Sequence, residues 1–236
     1  VDRLISIVIN AYNAQAALER QLANWLDYAP ESLAAIEFVV VDDGSAMPLA
    51  IDPAALPLGT RLLLARIEQD IAWNMPGARN LGALLAQGRF LLFHDVDHFL
   101  PQGALARLLH NADALRGDTL YRFARIEAGA PIDSHINSFL CSRDGFLRSG
   151  GYDEDFAGHY GHEDSFFLNG WAACIGPMVM LNNVWLDAQP RYSTPGLSRD
   201  TGRNSALFRQ KTAADGGTGA AQTRLRFPWT LQVLRG

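Results

Sequence analysis

Asp95 and Asp97 are separated by one residue and follow Phe90-Leu91-Leu92-Phe93, an apolar run bounded by Gly88. Side chains alternate along a strand, so both carboxylates point the same way if the extended geometry continues. Two like charges on one face repel each other unless a cation or a hydrogen-bond donor lies between them. The chemistry this suits is divalent metal binding. Magnesium or manganese takes oxygen ligands, binds through one or two carboxylates and fills its other positions with water and phosphate oxygens. Alone, an Asp-x-Asp pair reads more simply as a solvated loop, so the elements that position it must decide.

Those elements repeat one pattern. Leu4–Asn10 reads as a buried strand followed by the turn Ala11-Tyr12-Asn13, and Ala14–Tyr28 carries apolar residues at helical spacing until Pro30 stops the run. Ile36–Val41 is a second strand running into Asp42-Asp43-Gly44-Ser45, and Arg61–Ile67 is a third. Pro76 suits a first helical turn, Leu81, Leu84 and Leu85 supply the buried stripe, and Gly88 closes that helix. After the acidic pair, Pro101 opens a helix carrying Leu105, Leu108, Leu109 and Leu115. Strands alternating with helices predict an α/β fold with a mostly parallel central sheet. Such sheets bind ligands beyond the carboxyl ends of their strands, so Asn10, Asp42, Asp43, Asp95 and Asp97 are expected to converge there. No Gly-x-Gly-x-x-Gly or Gly-x-x-x-x-Gly-Lys-Ser/Thr stretch occurs, which argues against a dinucleotide or P-loop site.

The second half is less regular. Thr119–Ile126 and Phe139–Arg143 read as strands, followed by Gly150–Phe156 and Gly158–Asp164. A helix through Phe166, Phe167, Leu168 and Trp171 would place Glu163 and Asp164 in its first turn, where the dipole and free N–H groups favour an ionised carboxylate. A carboxylate kept ionised can act as a general base.

The formal net charge of −5 argues against a nucleic-acid partner. No stretch approaches the roughly 20 apolar residues that span a bilayer, and no secretory signal is visible, though the chain starts at Val1. Cys141 and Cys174 lie far apart without metal spacing, which points to a reduced compartment and a cytoplasmic protein. Lys211 is the only lysine, so chemistries needing a phosphate-loop or Schiff-base lysine are disfavoured. Residues 213–220 read as a flexible linker. The segment Arg224–Arg235 mixes arginine with large apolar residues: it docks back on the domain, or else contacts a partner or the inner face of a membrane.

Together these motifs resemble a family-two glycosyltransferase of the GT-A fold. The carrying residues are Ile7–Asn13, Val40–Ser45, Gly77–Gly82, Asp95-Val96-Asp97, Gly150–Phe156 and Gly161–Asp164, the last block being similar to that of galactosyl- and N-acetylgalactosaminyltransferases. The resemblance implies a Rossmann-like sheet with a small mixed acceptor-side region. Residues 1–210 would form the transferase domain, with 1–100 binding the nucleotide, 101–210 facing the acceptor, and 211–236 a linker and tail. Asn10, Ala11, Tyr12, Asn13, Asp42 and Asp43 would hold the uracil and ribose of a UDP-sugar, with Arg79 near the base or diphosphate. In the Asp95-Val96-Asp97 block, Asp97 would bind Mn2+ or Mg2+ directly, and Asp95 would reach the ribose or metal-bound water. Asp164, or less favourably Glu163, would deprotonate the acceptor hydroxyl of a glycan or lipid-linked sugar, inverting configuration, in polysaccharide biosynthesis; the alanine- and arginine-rich, lysine-poor composition points to a bacterial source. Many relatives supply a downstream histidine to the metal, whereas no histidine follows His162 here; Asp200, Asn204 or water would substitute.

Three rivals stand beside this reading. A haloacid dehalogenase-type phosphatase also uses Asp-x-Asp, but near the chain start and with a lysine. A zinc site on His94 and His98, or on His159 and His162, lacks an evident third soft ligand. The last is a nucleotide- or glycan-binding module of the same fold without turnover.

Overall fold

The computed structural model describes residues 4–190, 194, 196–214 and 224–235. The elements run β1 (Ile5–Ala11), α1 (Gln15–Trp25), α2 (Pro30–Ala35), β2 (Ile36–Asp42), β3 (Leu62–Ile67), α3 (Met75–Leu85), β4 (Phe90–Phe93), β5 (His98–Phe99) and α4 (Gln102–His110). They continue with β6 (Leu120–Glu127), β7 (Ala130–Ile132), β8 (Phe139–Ser142), α5 (Arg143–Arg148), α6 (Glu163–Cys174), β9 (Met178–Ala188), α7 (Gly202–Ala214) and β10 (Trp229–Arg235). Pro30 does more than end the first helical run: it opens α2, in whose first turn its missing N–H costs nothing.

One sheet organises the chain, in the order β10-β3-β2-β1-β4-β8-β6-β9-β5, with β7 paired to β6. Its centre, β3-β2-β1-β4, is parallel, as the alternation of strands and helices expects. Beyond β4 the sheet is mixed: β8 runs antiparallel to both β4 and β6, β9 is parallel to β6, and β5 is antiparallel to β9. The central strands are apolar on both faces because helices cover both. On one side Ile5, Ile7, Phe38 and Leu92 pack with Leu18, Trp25, Leu33 and Leu105 from α1, α2 and α4. On the other, Val8, Val39, Val41 and Phe93 meet Ala78 and Leu81 of α3, Phe146 of α5 and Phe167 and Trp171 of α6. α3 lies so close to β1 that a Cβ on Gly82 would stand 2.3 Å from Val8 Cγ1.

The tail segment is part of this sheet. Trp229–Arg235 pairs antiparallel with β3 as β10, which needs no helical pattern around Pro228. Residues 213–214 continue α7 instead of starting a linker, and residues 215–220 lie outside the described chain. Among the described residues, no helix is long and apolar enough to cross a membrane.

Candidate active site

At the carboxyl edge of β1, β2 and β4 lies a cavity of about 350 Å³. Asn10, Ala11 and Tyr12 at the end of β1, Asp43 after β2, and Asp95, Val96 and Asp97 after β4 all line it. The local reason is the parallel register: each strand stops at the same edge, and its next residues spill into a loop there. Gly44 lets the second loop turn, with φ +74 and with Gln69 O placed 2.6 Å from where a Cβ would sit.

The two aspartates meet the cavity by a different route from strand alternation. β4 ends at Phe93, and the next residues form a turn closed by His98 N donating to Asp95 O at 3.0 Å. Asp95 Oδ1 lies 3.0 Å from Arg79 Nη2, and Oδ2 accepts from Asn137 Nδ2 at 3.2 Å. Asp97 Oδ1 stands 2.9 Å from His98 Nδ1. Among the described residues, Asp95, His98 and His135 bring one possible ligand atom each within 4.8 Å of one another. A carboxylate and two imidazoles suit a divalent transition ion, so the residues present fit a metal. His94 does not join them: it is buried and bonded to the Asp95 carbonyl, and burial pushes its imidazole down to about 4.

Arg79 is neither on the surface nor in the cavity wall. It is fully buried on α3, and besides Asp95 its guanidinium reaches Tyr152 Oη at 2.6 Å, Asn137 O at 2.9 Å and Asp164 Oδ1 at 3.3 Å. Asp164, in the first turn of α6, also accepts from Tyr152 Oη at 3.0 Å. Burial outweighs the nearby arginine and pushes Asp164 up to about 6. Its neighbour Glu163 is likewise pushed up to about 7 by burial, and its Oε2 has no hydrogen-bond partner.

The remaining expected residues divide. Asp43 is buried at the cavity edge, accepts from Asn74 Nδ2 at 3.0 Å and is pushed up to about 7 by desolvation. Asp42 is turned away: Oδ1 accepts from Ser45 N, and Oδ2 from Leu49 N and Arg66 Nη1, so both oxygens staple the loop. Asn13 is exposed outside the cavity lining and is bonded to Ser45 and Ala46. Neither Asp200 nor Asn204 reaches the cavity; Asn204 Nδ2 instead donates to the carbonyls of Phe156, His159 and Gly161, holding that loop on α7. His159 and His162 are tied to Arg203 and Ser205 on the same helix and form no metal cluster among the described residues. Lys211, paired with Asp153 and Asp155, is remote from the cavity lining.

Several wall residues had no motif to announce them. His135 and Asn137 come from the irregular stretch before β8, and Trp73 and Arg199, from two distant loops, meet Tyr160 of the Gly158–Asp164 block. Trp73 Nε1 donates to Ser198 O at 2.7 Å, and the Arg199 guanidinium lies against both rings, 5.4 and 5.2 Å from their centroids. The polar spacing in Asp133–Asn137 was the one available signal, and it fits any exposed loop equally well.

Residues 6–169 match the family described as Glycosyl transferase family 2. No curated protein matches the chain. Among solved structures, the fold is similar to S. aureus TarS 1–349 in complex with UDP-GlcNAc, at 17% identity and a TM-score of 0.61, covering 81% of this chain and 60% of that one. It is also similar to the mannosyltransferase PcManGT from Pyrobaculum calidifontis in complex with GDP-Man and Mn2+, at 17% identity and a TM-score of 0.59, covering 82% and 59%. At such identity the likeness carries the fold alone, and it bears out the GT-A architecture. The chain spans about 60% of the length of these structures.

Proposed function

The chain belongs to glycosyl transferase family 2, and from that premise we propose that it moves a hexose or N-acetylhexosamine from a UDP-sugar to an acceptor hydroxyl, inverting the anomeric carbon. The observation that supports this best is one cavity at the sheet's carboxyl edge where Asn10 and Asp43 face Asp95 and Asp97, with Arg79 linking Asp95 to Asp164 behind the wall. In this reading Asn10, Ala11, Tyr12 and Asp43 receive the uracil and ribose, while Asp42 and Asn13 hold the loop that carries Asp43 in place. TarS is complexed with UDP-GlcNAc and PcManGT with GDP-Man, which supports a nucleotide-sugar donor in general. The choice of uridine rests on the motif resemblance.

A manganese or magnesium ion held by the Asp95–Asp97 loop would supply positive charge against the donor diphosphate and the leaving UDP. The chain's own groups do the rest. Asp164 lies just behind the cavity lining with about a tenth of its side chain exposed, and through that exposed part it takes the acceptor's proton as the acceptor oxygen attacks; an alcohol is too weak an acid to ionise beforehand, so transfer and attack proceed together. A carboxylate raised to about 6 remains mostly ionised at neutral pH, yet is a stronger base than an ordinary aspartate. Tyr152 and Arg79 both hold Oδ1, which fixes the carboxylate's orientation. The acceptor is a glycan or lipid-linked sugar, and the setting is polysaccharide assembly in the cytoplasm.

Calorimetry tests the donor half. UDP, GDP and UDP-linked glucose, galactose, GlcNAc and GalNAc are titrated with and without Mn2+. Metal-dependent uridine binding that disappears in Asp97→Ala is the expected result; no nucleotide binding under either condition sinks the reading.

A further inference from the structure

β10 is an edge strand, and among the described residues no strand pairs with its outer side. Pro228 O accepts from Glu68 N at 2.9 Å, so it points towards β3. In an antiparallel ladder the N–H and C=O of one residue point the same way, and successive residues alternate. Thr230 and Gln232 therefore direct their main chain to β3, whereas Trp229, Leu231 and Val233 direct theirs outward. The side chains of these three are exposed as well, by 36%, 43% and 60%, and share one face of the sheet. Their neighbours Ile67, Ala65 and Leu63 on β3 are buried core on that same face. Folded proteins ordinarily defend such an edge with a charged residue or a break. Residues 227–234 carry no charge, and the breaks, Pro228 and the bulge between Val233 and Arg235, bracket a regular stretch without interrupting it.

We propose that β10 pairs antiparallel with β10 of a second copy about a twofold axis at Leu231, joining the two sheets into one. The regular stretch is self-complementary about that residue. Trp229 meets the partner's Val233, Leu231 meets the partner's Leu231, and Thr230 meets the partner's Gln232. Apolar then stands opposite apolar and polar opposite polar, and the outward N–H and C=O groups bond to one another. Such an interface is isologous, so it closes at two copies. Charge argues against a lipid surface as the occupant, because that needs basic side chains free to reach it. Arg61, Arg66, Arg224 and Arg226 are instead paired with Glu37, Asp42 and Asp155, and Arg235 donates to the carbonyls of Leu56 and Pro57. The twofold axis reverses strand direction, so the two cavities open at opposite edges of the joined sheet and neither is blocked. No residue of β10 lines the cavity, and the dimer stands apart from the transferase reading.

The test is analytical ultracentrifugation of the full chain over a dilution series, with hydrogen exchange read amide by amide. The mass is expected at twice 25.9 kDa when concentrated, falling to a single chain on dilution. In the dimer the amides of Trp229, Leu231 and Val233 should exchange about tenfold more slowly than in the diluted chain, while Thr230 and Gln232, bonded to β3 in both states, change less. Leu231→Lys sets two ammonium groups against each other across the axis and should leave the chain monomeric with its nucleotide binding unchanged. A wild type that is monomeric at every concentration overturns the proposal, and so does a dimer that persists in Leu231→Lys or leaves the three outward amides unprotected. A mass that climbs past the dimer would mean an open head-to-tail contact, and a monomer that sediments with phosphatidylglycerol vesicles would give the apolar row to lipid; either result also overturns it. Should Leu231→Lys not fold, the wild-type mass and exchange pattern decide by themselves.

Discussion

Arg79 Nη1 stands 3.3 Å from Asp164 Oδ1, and its other terminal nitrogen is 3.0 Å from Asp95 Oδ1. The proposed base and a cavity-wall carboxylate thus share one fully buried guanidinium. Removing one partner of a buried ion pair leaves the other uncompensated, typically at about 3–5 kcal/mol. Arg79→Met should accordingly lower stability by about that much, and Arg79→Lys should recover little, because a single ammonium cannot span both carboxylates. Chemical denaturation measures it. Wild-type stability in Arg79→Met would mean that the cluster is not held by this charge.

Asp164→Asn keeps the shape of the side chain and removes the base. Turnover should fall by about 10²–10⁴ with nucleotide affinity unchanged. Glu163→Gln is the paired variant, since Glu163 Oε2 is buried without a partner next door. If the loss appears in Glu163→Gln and not in Asp164→Asn, the roles are exchanged. Unchanged turnover in both would favour a binding module of this fold.

The acid limb of kcat/KM should follow the Asp164 carboxylate. Burial pushes it up to about 6, and its protonated form cannot accept the acceptor's proton, so activity should fall as pH drops through that value. A limb near the ordinary aspartate value of about 4 would show that the base lies in a wetter place.

Asp43 makes the opposite signature in stability. Burial raises it to about 7, against about 3.9 in an unfolded chain. Its contribution is fully present below about pH 4 and is lost as pH rises through 7, because the unfolded chain then gives up a proton that the folded chain retains. The melting temperature should therefore rise from pH 7.5 to 5.5. Asp43→Asn should be the more stable protein at pH 7.5, by about 2–4 °C for each kcal/mol in a chain of this size. A flat melting profile in wild type would mean that Asp43 is better solvated than its burial implies.

Glu154 anchors the end of the chain: Oε1 accepts from Leu225 N at 2.9 Å and Asn80 Nδ2 at 3.0 Å, and Oε2 from Arg226 N at 3.2 Å. Glu154→Ala should loosen β10, with amide exchange over Trp229–Arg235 roughly tenfold faster for a loss of about 1–2 kcal/mol, while β1 is unaffected. Equal acceleration in both strands would indicate global destabilisation.

The parallel centre of the fold was legible because its signals are local. Ile5–Ala11, Ile36–Asp42 and Leu62–Ile67 are apolar runs closed by polar loops, and their parallel pairing brings their carboxyl ends to one edge. That alone brought Asn10, Asp43, Asp95 and Asp97 together. β9, α7 and β10 were not legible: exposed residues interrupt their apolar patterns, and each acquires its partner from far along the chain. The sequence likewise could not separate Asp42 from Asp43. Neighbours in a chain share composition and differ only in direction, and Arg66 on β3 decides which one is stapled away. Arg79 read as a ligand contact or a surface arginine, and only α3 packed against Asp95, Tyr152 and Asp164 makes it the buried hub. His135 is the extreme case. Nothing in its neighbourhood in the chain marks it, and its closeness to Asp95 and His98 is a property of the folded sheet alone.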